Sequence, residues 1–515
     1  MDENLVTLLE AEADRSGDRT AVIHGETRRS WRDLDARAAR LAGLLASRGV
    51  GEGSRVGVAL FNGPEYLETV LAVMKIRAMP VNVNYRYREG ELLDLLGDAE
   101  AEALVFDASI EERVTAVEDR LPGLKTLVRL GSSPGTALDY EQAIRETPPM
   151  PRITRSGSDS WLMFTGGTTG RPKGVVSTHR WLVGAVGYNT RGMAGAITLV
   201  APPLMHATGL YLSFGCLLGG GTVAYLPSRS YDPAELAREI ERLRVTCLVV
   251  VGDVFTMPLA EALERGSYDV RSLKRMVSVG VTWSAEVKAR LLDHCDAVLE
   301  DMVAASEGGP FAKSVTTREH QFVTSRFELL PGCRVIDDDG HDVVPGSGNV
   351  GLLAAPAAEE THYLGDPEKS AQTFRMVGDT RYVFTGDLAT LAEDGSLVLL
   401  GRNSRVINTG GEKVFAEEVE QVIARHPGVE DVTVIGMPDP RWGHRIVAVV
   451  ARRAGAELDA RTVSDHVATV LAGYKRPRRV VFVPEIRRSP SGKINLAWAR
   501  HVAQDEEARQ AAFGS

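Results

Sequence analysis

Between residues 31 and 107 the hydrophobic pattern switches repeatedly between helical and strand period. WRDLDARAARLAGLLASRG (31–49) carries apolar residues at helical spacing and is stopped by Gly49. SRVGVAL (54–60) follows at strand length. A second helical stretch runs near 64–78, then PVNVN (80–84) as a strand, then a helix near 88–97 that leads to EALVFD (102–107). Alternation of this kind predicts an α/β sheet with mainly parallel strands under crossover helices. The pattern recurs near 180–225 and 232–251 and gives way around 349–400 to short strands and turns: GNVGLLAAP, RYVFTGD and GSLVLLGR. From about 403 a different unit begins. AEEVEQVIARH and TVSDHVATVLAGY read as helices, VEDVTVIGMP and RIVAVVAR as strands, an α+β unit of roughly 110 residues. At 515 residues the chain exceeds a single small core. The expected architecture is a large α/β domain over 1–402, with mainly parallel sheets and a small β-barrel-like part, and a small α+β domain over 403–515.

Charge and cysteine usage remove several function classes. Lys and Arg number 59 against 69 Asp and Glu, a net charge of −10. That balance disfavours a generic binder of nucleic acid or anionic membrane. No apolar run is long enough to span a bilayer. The acidic start, MDENLVTLLEAEADRSGD, lacks the basic opening of a signal peptide, so a cytoplasmic location is expected. Cys216, Cys247, Cys295 and Cys333 are scattered without metal-ligand spacing and read as buried free thiols.

The densest chemical signal is FTGGTTGRPKG (164–174). SWLMF before it and GVVSTH after it read as strands. A glycine-rich turn between strands exposes backbone N–H groups and lets them approach an anion. Thr165, Thr168 and Thr169 add hydroxyls around Gly166 and Gly167, and Lys173 adds a positive charge. These are the parts of a polyphosphate cradle. The loop is not a Walker A loop, because the GxxxxGK spacing is absent. Glycines alone would suggest only a tight turn with an exposed lysine; the ordered string carries more.

That string resembles the signature of adenylate-forming acyl-CoA synthetases, a superfamily that includes luciferases and nonribosomal peptide adenylation domains. Its usual form has serine where Gly166 stands. The resemblance runs from the first helix to SPSGKI (489–494) and is strongest with the fatty-acid and steroid-side-chain CoA ligase branch, where TGGTTG and INTGGEKVF-type strings occur. It implies two half-reactions. A carboxylate attacks the α-phosphate of Mg-ATP to give acyl-AMP, and coenzyme A then takes the acyl group and releases AMP. The small C-terminal domain of the family rotates between the steps about a hinge, which falls here at Asn403 or Ser404.

Roles follow from the resemblance position by position. Thr165 to Lys173 would hold the outer phosphates. Glu307 in SEGGP would bind Mg²⁺, with Ser306 donating to phosphate. Asp387 in YVFTGD would hold the ribose hydroxyls, with Arg402 beside it. Lys493 in SPSGK would bridge carboxylate and α-phosphate. Gly410, Gly411 and Lys413 would line the pantetheine channel. Trp442 and Tyr474-Lys475 match positions that serve packing. Val281, Thr282 and Val303 fall on the nucleotide-facing positions. His206, Thr208, Gly209, Val254, Gly280 and Ala305 fall around the acyl pocket, where the small residues suggest room for a bulky or long hydrophobic acid.

One departure bears on affinity. Val303-Ala304-Ala305-Ser306-Glu307 replaces a family pattern that begins with an aromatic residue. Base stacking on that aromatic is worth roughly 1–3 kcal/mol, so nucleotide binding would weaken roughly five- to hundredfold. The main expectation is therefore an acid–CoA ligase of lipid or secondary metabolism that uses ATP, Mg²⁺ and coenzyme A. The alternatives are a chain efficient only in thioester formation from acyl-AMP supplied by a partner adenylating enzyme, a loader of a separate carrier protein, a luciferase-like oxygenase and a non-catalytic binding protein. A homodimer is compatible with all of them.

Overall fold

Residues 31–47 form the helix that the apolar spacing predicts, and its start is fixed by a reciprocal cap. Ser30 Oγ accepts the N–H of Asp33 at 3.0 Å, and the Asp33 carboxylate accepts the Ser30 N–H at 3.4 Å. Trp31, Leu34, Ala38, Leu41, Ala42 and Leu45 make its buried stripe. Beyond it Gly49 takes φ +85°, a left-handed conformation that ends the segment without strain.

The computed structural model describes every residue except 1–2, 133–134, 166–171, 189, 191, 282, 320–325, 403–404, 410–411, 440–442, 472, 489–493 and 514–515. The side chains of 402, 408, 412–413, 443 and 507–513 also lie outside the description. The chain forms two compact units, 1–324 with 355–383 and 325–354 with 384–515.

The first unit contains three sheets. One has five parallel strands, in the order 79–82, 55–59, 103–107, 126–130 and 138–139. ALVFD (103–107), at its centre, is buried at every position, as a strand covered on both faces must be. A second, larger sheet carries a parallel run, 20–24, 222–225, 197–200, 247–250, 275–279 and 298–305, edged by antiparallel strands 27–30 and 309–316. The third is a three-stranded antiparallel sheet in the order 362–363, 173–178 and 160–165. It carries the glycine-rich loop.

The second unit contains antiparallel pairs, including residues 387–391 of strand 380–391 with strand 397–402, and a five-stranded sheet near the C-terminus. There helices 416–424 and 460–468 cover one face through Val419, Val422, Ile423, Val463 and Val467. Helix 496–513 covers the other through Ala499 and Ala503. Among the described residues no helix is long and apolar enough to cross a membrane. Cys216, Cys247 and Cys295 are buried thiols; burial pushes Cys216 up to about 12. Cys333 is only half-buried, so the expectation of four buried thiols holds for three.

His179, the first residue of helix 179–187, is 1% exposed, and burial lowers its pKa to about 4. The unfolded chain binds that proton near pH 6.5, so acid favours unfolding. Stability from the neutral imidazole is complete above pH 6.5 and is lost as pH falls toward 4. It amounts to about 3 kcal/mol. Denaturant titrations at pH 7 and pH 4.5 check this: the stability gap between wild type and His179→Gln should narrow by most of that amount at the lower pH.

Candidate active site

Strands 160–165 and 173–178 are joined as a hairpin whose last facing pair is Thr165 with Lys173. The two flanks of the predicted phosphate cradle are therefore held opposite each other. Gly166, Gly167, Thr168 and Thr169 lie outside the described residues. Lys173 is about a quarter exposed, and its Nζ lies 3.5 Å from Asp366 Oδ2 and 5.4 Å from the ring centre of Tyr363. Both partners come from the third strand of the sheet and the turn after it. Tyr363 faces Val175, and the Leu364 N–H donates to Gly174 O at 2.8 Å. Asp366 then caps helix 367–373, accepting the Lys369 N–H on Oδ1 at 2.9 Å, while Oδ2 is turned to Lys173.

Glu307 occupies the turn between strands 298–305 and 309–316. Gly308 is required beside it, since a Cβ there would sit 2.5 Å from Val383 Cγ1 and 2.8 Å from the Phe311 ring. Glu307 Oε1 accepts the Tyr363 hydroxyl at 2.9 Å. Burial, and then the charge of Glu307, push the phenol of Tyr211 up; Trp161 Nε1 donates to its oxygen at 3.0 Å. The Trp181 ring packs edge-on at 6.2 Å, so an aromatic wall stands near the glutamate. Val303, Ala304, Ala305 and Ser306 are half-buried, with a register shift between Val303 and Ala304.

The strand that leads to Glu307 rests on buried charge. Asp301 lies 3.3 Å from Lys288 Nζ, and burial raises its carboxyl to about 6. Lys288 also lies over the Trp283 ring. Asp253 accepts the Ser284 N–H at 2.9 Å. Together these anchor the loop 280–284. Within it Gly280 has φ +105° with nothing within 4 Å of a Cβ position, and Val281 is half-buried. Thr282 lies outside the described residues.

His206 caps helix 207–218, and its N–H donates to Pro203 O at 3.1 Å. His206 and Thr208 are half-buried, and Val254 is 37% exposed on helix 252–265. Gly209 is small for a reason other than pocket room: a Cβ would sit 2.6 Å from Pro203 O and 2.9 Å from Pro202 O. Two asparagines hold this loop. Asn62 donates to Pro202 O at 3.0 Å and accepts the Leu204 N–H at 2.7 Å. Asn82 donates to Met205 O at 2.7 Å and to Phe164 O at 2.8 Å, and accepts the Phe164 N–H at 2.7 Å. One carboxamide thus joins the histidine loop to the strand entering the phosphate hairpin.

In the second unit Asp387 of strand 380–391 and Arg402 of strand 397–402 are paired in register. The Thr385 hydroxyl donates to Asp387. Gly401, at φ +117°, leaves room for Glu417, whose carboxylate lies where a Cβ would be. Arg405 is enclosed by Glu417 and Glu420, and Lys475 Nζ lies 2.7 Å from Glu418. Tyr474 is exposed. Asn403, Ser404, Gly410, Gly411, Trp442, Lys493 and the side chains of Arg402 and Lys413 lie outside the described residues.

Asn82, Tyr363 and Asp366 were not marked by the sequence. YLGDPEK did carry a signal for Asp366, an acidic cap before proline.

The sequence model of the AMP-binding enzyme family matches residues 9–355, and that of the AMP-binding enzyme C-terminal domain matches 418–493. The chain is 36% identical to the medium-chain acyl-CoA ligase Mig of Mycobacterium avium, over 94% of this chain and 96% of that protein. It is 34% identical to the 3-oxocholest-4-en-26-oate–CoA ligase of Rhodococcus rhodochrous, over 96% and 95%. The crystal structure of ATP-bound MatB from Rhodopseudomonas palustris superposes with a TM-score of 0.87 at 25% identity, covering 98% and 99% of the two chains.

The Asn82 contacts give a signed expectation. Asn82→Ala leaves three backbone groups without their partner and should lower unfolding free energy by about 2–3 kcal/mol. Asn82→Asp, which turns a carboxylate toward two carbonyl oxygens, should cost more than alanine does. Urea titrations of the three proteins check the ranking.

Proposed function

This chain belongs to the AMP-binding enzyme family, and we propose that it activates a bulky or long hydrophobic carboxylic acid with ATP and passes the acyl group to coenzyme A. The observation that carries the reading is local. The lysine of the phosphate hairpin and the glutamate of the 306–308 turn meet at one tyrosine, Tyr363.

The first step brings two anions together. An acid oxygen attacks the α-phosphorus of ATP, and the bond from that phosphorus to pyrophosphate breaks. Lys173 and the backbone N–H groups of its hairpin loop offset the repulsion at the outer phosphates. The Lys173–Asp366 contact does not oppose this strongly, because an ion pair this exposed is worth about 0–1 kcal/mol and polyphosphate can displace it. Glu307 suits Mg²⁺, since it is a hard oxygen donor with one oxygen occupied by Tyr363 and, among the described residues, no hydrogen-bond partner on the other. There the ion would neutralise phosphate charge. Asp387 and Arg402 are assigned to the ribose, and Lys493 to the bridge between acid and α-phosphate. In the second step the coenzyme A sulfur attacks the acyl carbon, its proton is lost to solvent, and the acyl C–O bond to AMP breaks. Gly410, Gly411 and Lys413 are assigned to the pantetheine arm, with Asn403–Ser404 as the pivot between domains 1–402 and 403–515.

A hydrophobic acid is supported by what the two relatives named above act on and by the open space at Gly280. His206, Thr208, Gly280, Val254 and Ala305 are assigned to its pocket. ATP and coenzyme A are cytoplasmic metabolites, and we place the reaction there.

The test offers medium-chain, long-chain and steroid-side-chain acids with ATP, and follows pyrophosphate release and, with coenzyme A added, acyl-CoA by mass spectrometry. The expected products are AMP, pyrophosphate and acyl-CoA. ADP as product, or acyl transfer only to a carrier-protein thiol, would overturn the reading. Lys493→Ala should slow ATP-dependent ligation by about 100-fold and leave conversion of supplied acyl-AMP nearly unchanged.

A further inference from the structure

Tyr363 lies outside every role assigned above, yet it touches both charged groups of the phosphate end. We propose that Tyr363 is a positioning residue that holds Glu307 in the one orientation competent to bind metal. This rests on the reading of Glu307 as the metal carboxylate.

The hydroxyl donates to Glu307 Oε1 at 2.9 Å, which fixes one carboxylate oxygen and, among the described residues, leaves Oε2 without a hydrogen-bond partner. The tyrosine is itself held. It is 7% exposed, its N–H donates to Ser370 Oγ at 2.9 Å, and its ring packs on Phe374 at 5.8 Å. Its register against Val175 places it two positions from Lys173 along the neighbouring strand, so the glutamate is located relative to the phosphate hairpin rather than only to its own turn. Lys173 Nζ also lies 5.4 Å from the ring centre, within range for a cation–π contact.

The geometry matters because Glu307 stands at a hairpin turn, half-buried, between Ser306 and two glycines. Without a donor on Oε1 the carboxylate would sample several rotamers. Ordering it would then be charged against metal binding. A donor to one carboxylate oxygen removes that cost before the metal arrives.

Tyr363→Phe deletes the hydroxyl and keeps the ring packing. The Mg²⁺ concentration giving half-maximal pyrophosphate release should rise about tenfold. Mn²⁺ binding, followed by electron paramagnetic resonance in the presence of a non-hydrolysable ATP analogue, should weaken by the same factor. The KM for the acid and the conversion of supplied acyl-AMP with coenzyme A should stay at wild-type values. A variant that misfolds would lose that acyl-AMP activity too, and Tyr363→His, which restores a donor, should then recover metal affinity in part. If Tyr363→Phe binds Mn²⁺ as tightly as wild type while Glu307→Gln does not, the positioning role is wrong and the reading of Glu307 stands. If Glu307→Gln also leaves metal binding intact, both are wrong.

Discussion

Two loops that are far apart in the chain depend on one carboxamide. Asn82 ends a strand of the five-stranded parallel sheet, accepts one backbone N–H and donates to two carbonyls, one beside the phosphate hairpin and one beside His206. The parallel sheet is thereby made the reference frame for both. Asn62 repeats the device on the same histidine loop, and the packing of Gly209 against Pro202 and Pro203 closes it from the other side. Loops of this kind carry backbone polar groups that must be satisfied once water is excluded, and side-chain amides satisfy them while fixing position.

The charges follow a similar economy. Lys173 and Glu307 would be costly if each stood partly buried and alone. The segment from Tyr363 to Asp366 gives each a partner, which in the proposed reading a phosphate or a metal would supplement or replace. Farther from the phosphates, Asp301 and Lys288 lie below tenth-exposure and cannot be traded in this way. Their pairing, together with the Asp253 contact to Ser284, fixes strand 298–305 and loop 280–284, the two pieces assigned to the nucleotide base. The Lys173–Asp366 pair is partly exposed and exchangeable, whereas the Asp301–Lys288 pair is buried and fixed.

Much of the fold was legible because its signals are local. Helix 31–47, the strands 55–59 and 103–107, and the C-terminal helices follow from apolar period, caps and glycine stops, each read within a dozen residues. The flanks of the phosphate loop were legible for the same reason. Tyr363 and Asn82 were not, because their meaning lies in partners 56 and 82 residues away. A tyrosine in YLGDPEK looks like any strand-end aromatic until the third strand is docked on the hairpin. Gly209 was legible as small but misleading as to why: the size of a residue signals close approach without saying whether a ligand or the protein's own backbone approaches.

Position 303 carries valine rather than an aromatic residue. Val303 is half-buried beside a register shift, and Trp283 is fully buried within the core. With Val303 assigned to the adenine in the proposed reading, base stacking would contribute less than an aromatic residue there would supply. On that reading affinity would lean on the proposed phosphate and ribose contacts, where binding is charge-assisted and sensitive to geometry. That shift raises the worth of any group that orders those ends before ATP arrives. A glutamate held in register by a buried tyrosine, and a lysine placed by its facing threonine and a capping aspartate, are such groups. If the aliphatic residues at 303–305 face the adenine as proposed, preorganising the polyphosphate end is one way for the chain to keep nucleotide affinity and still do the chemistry.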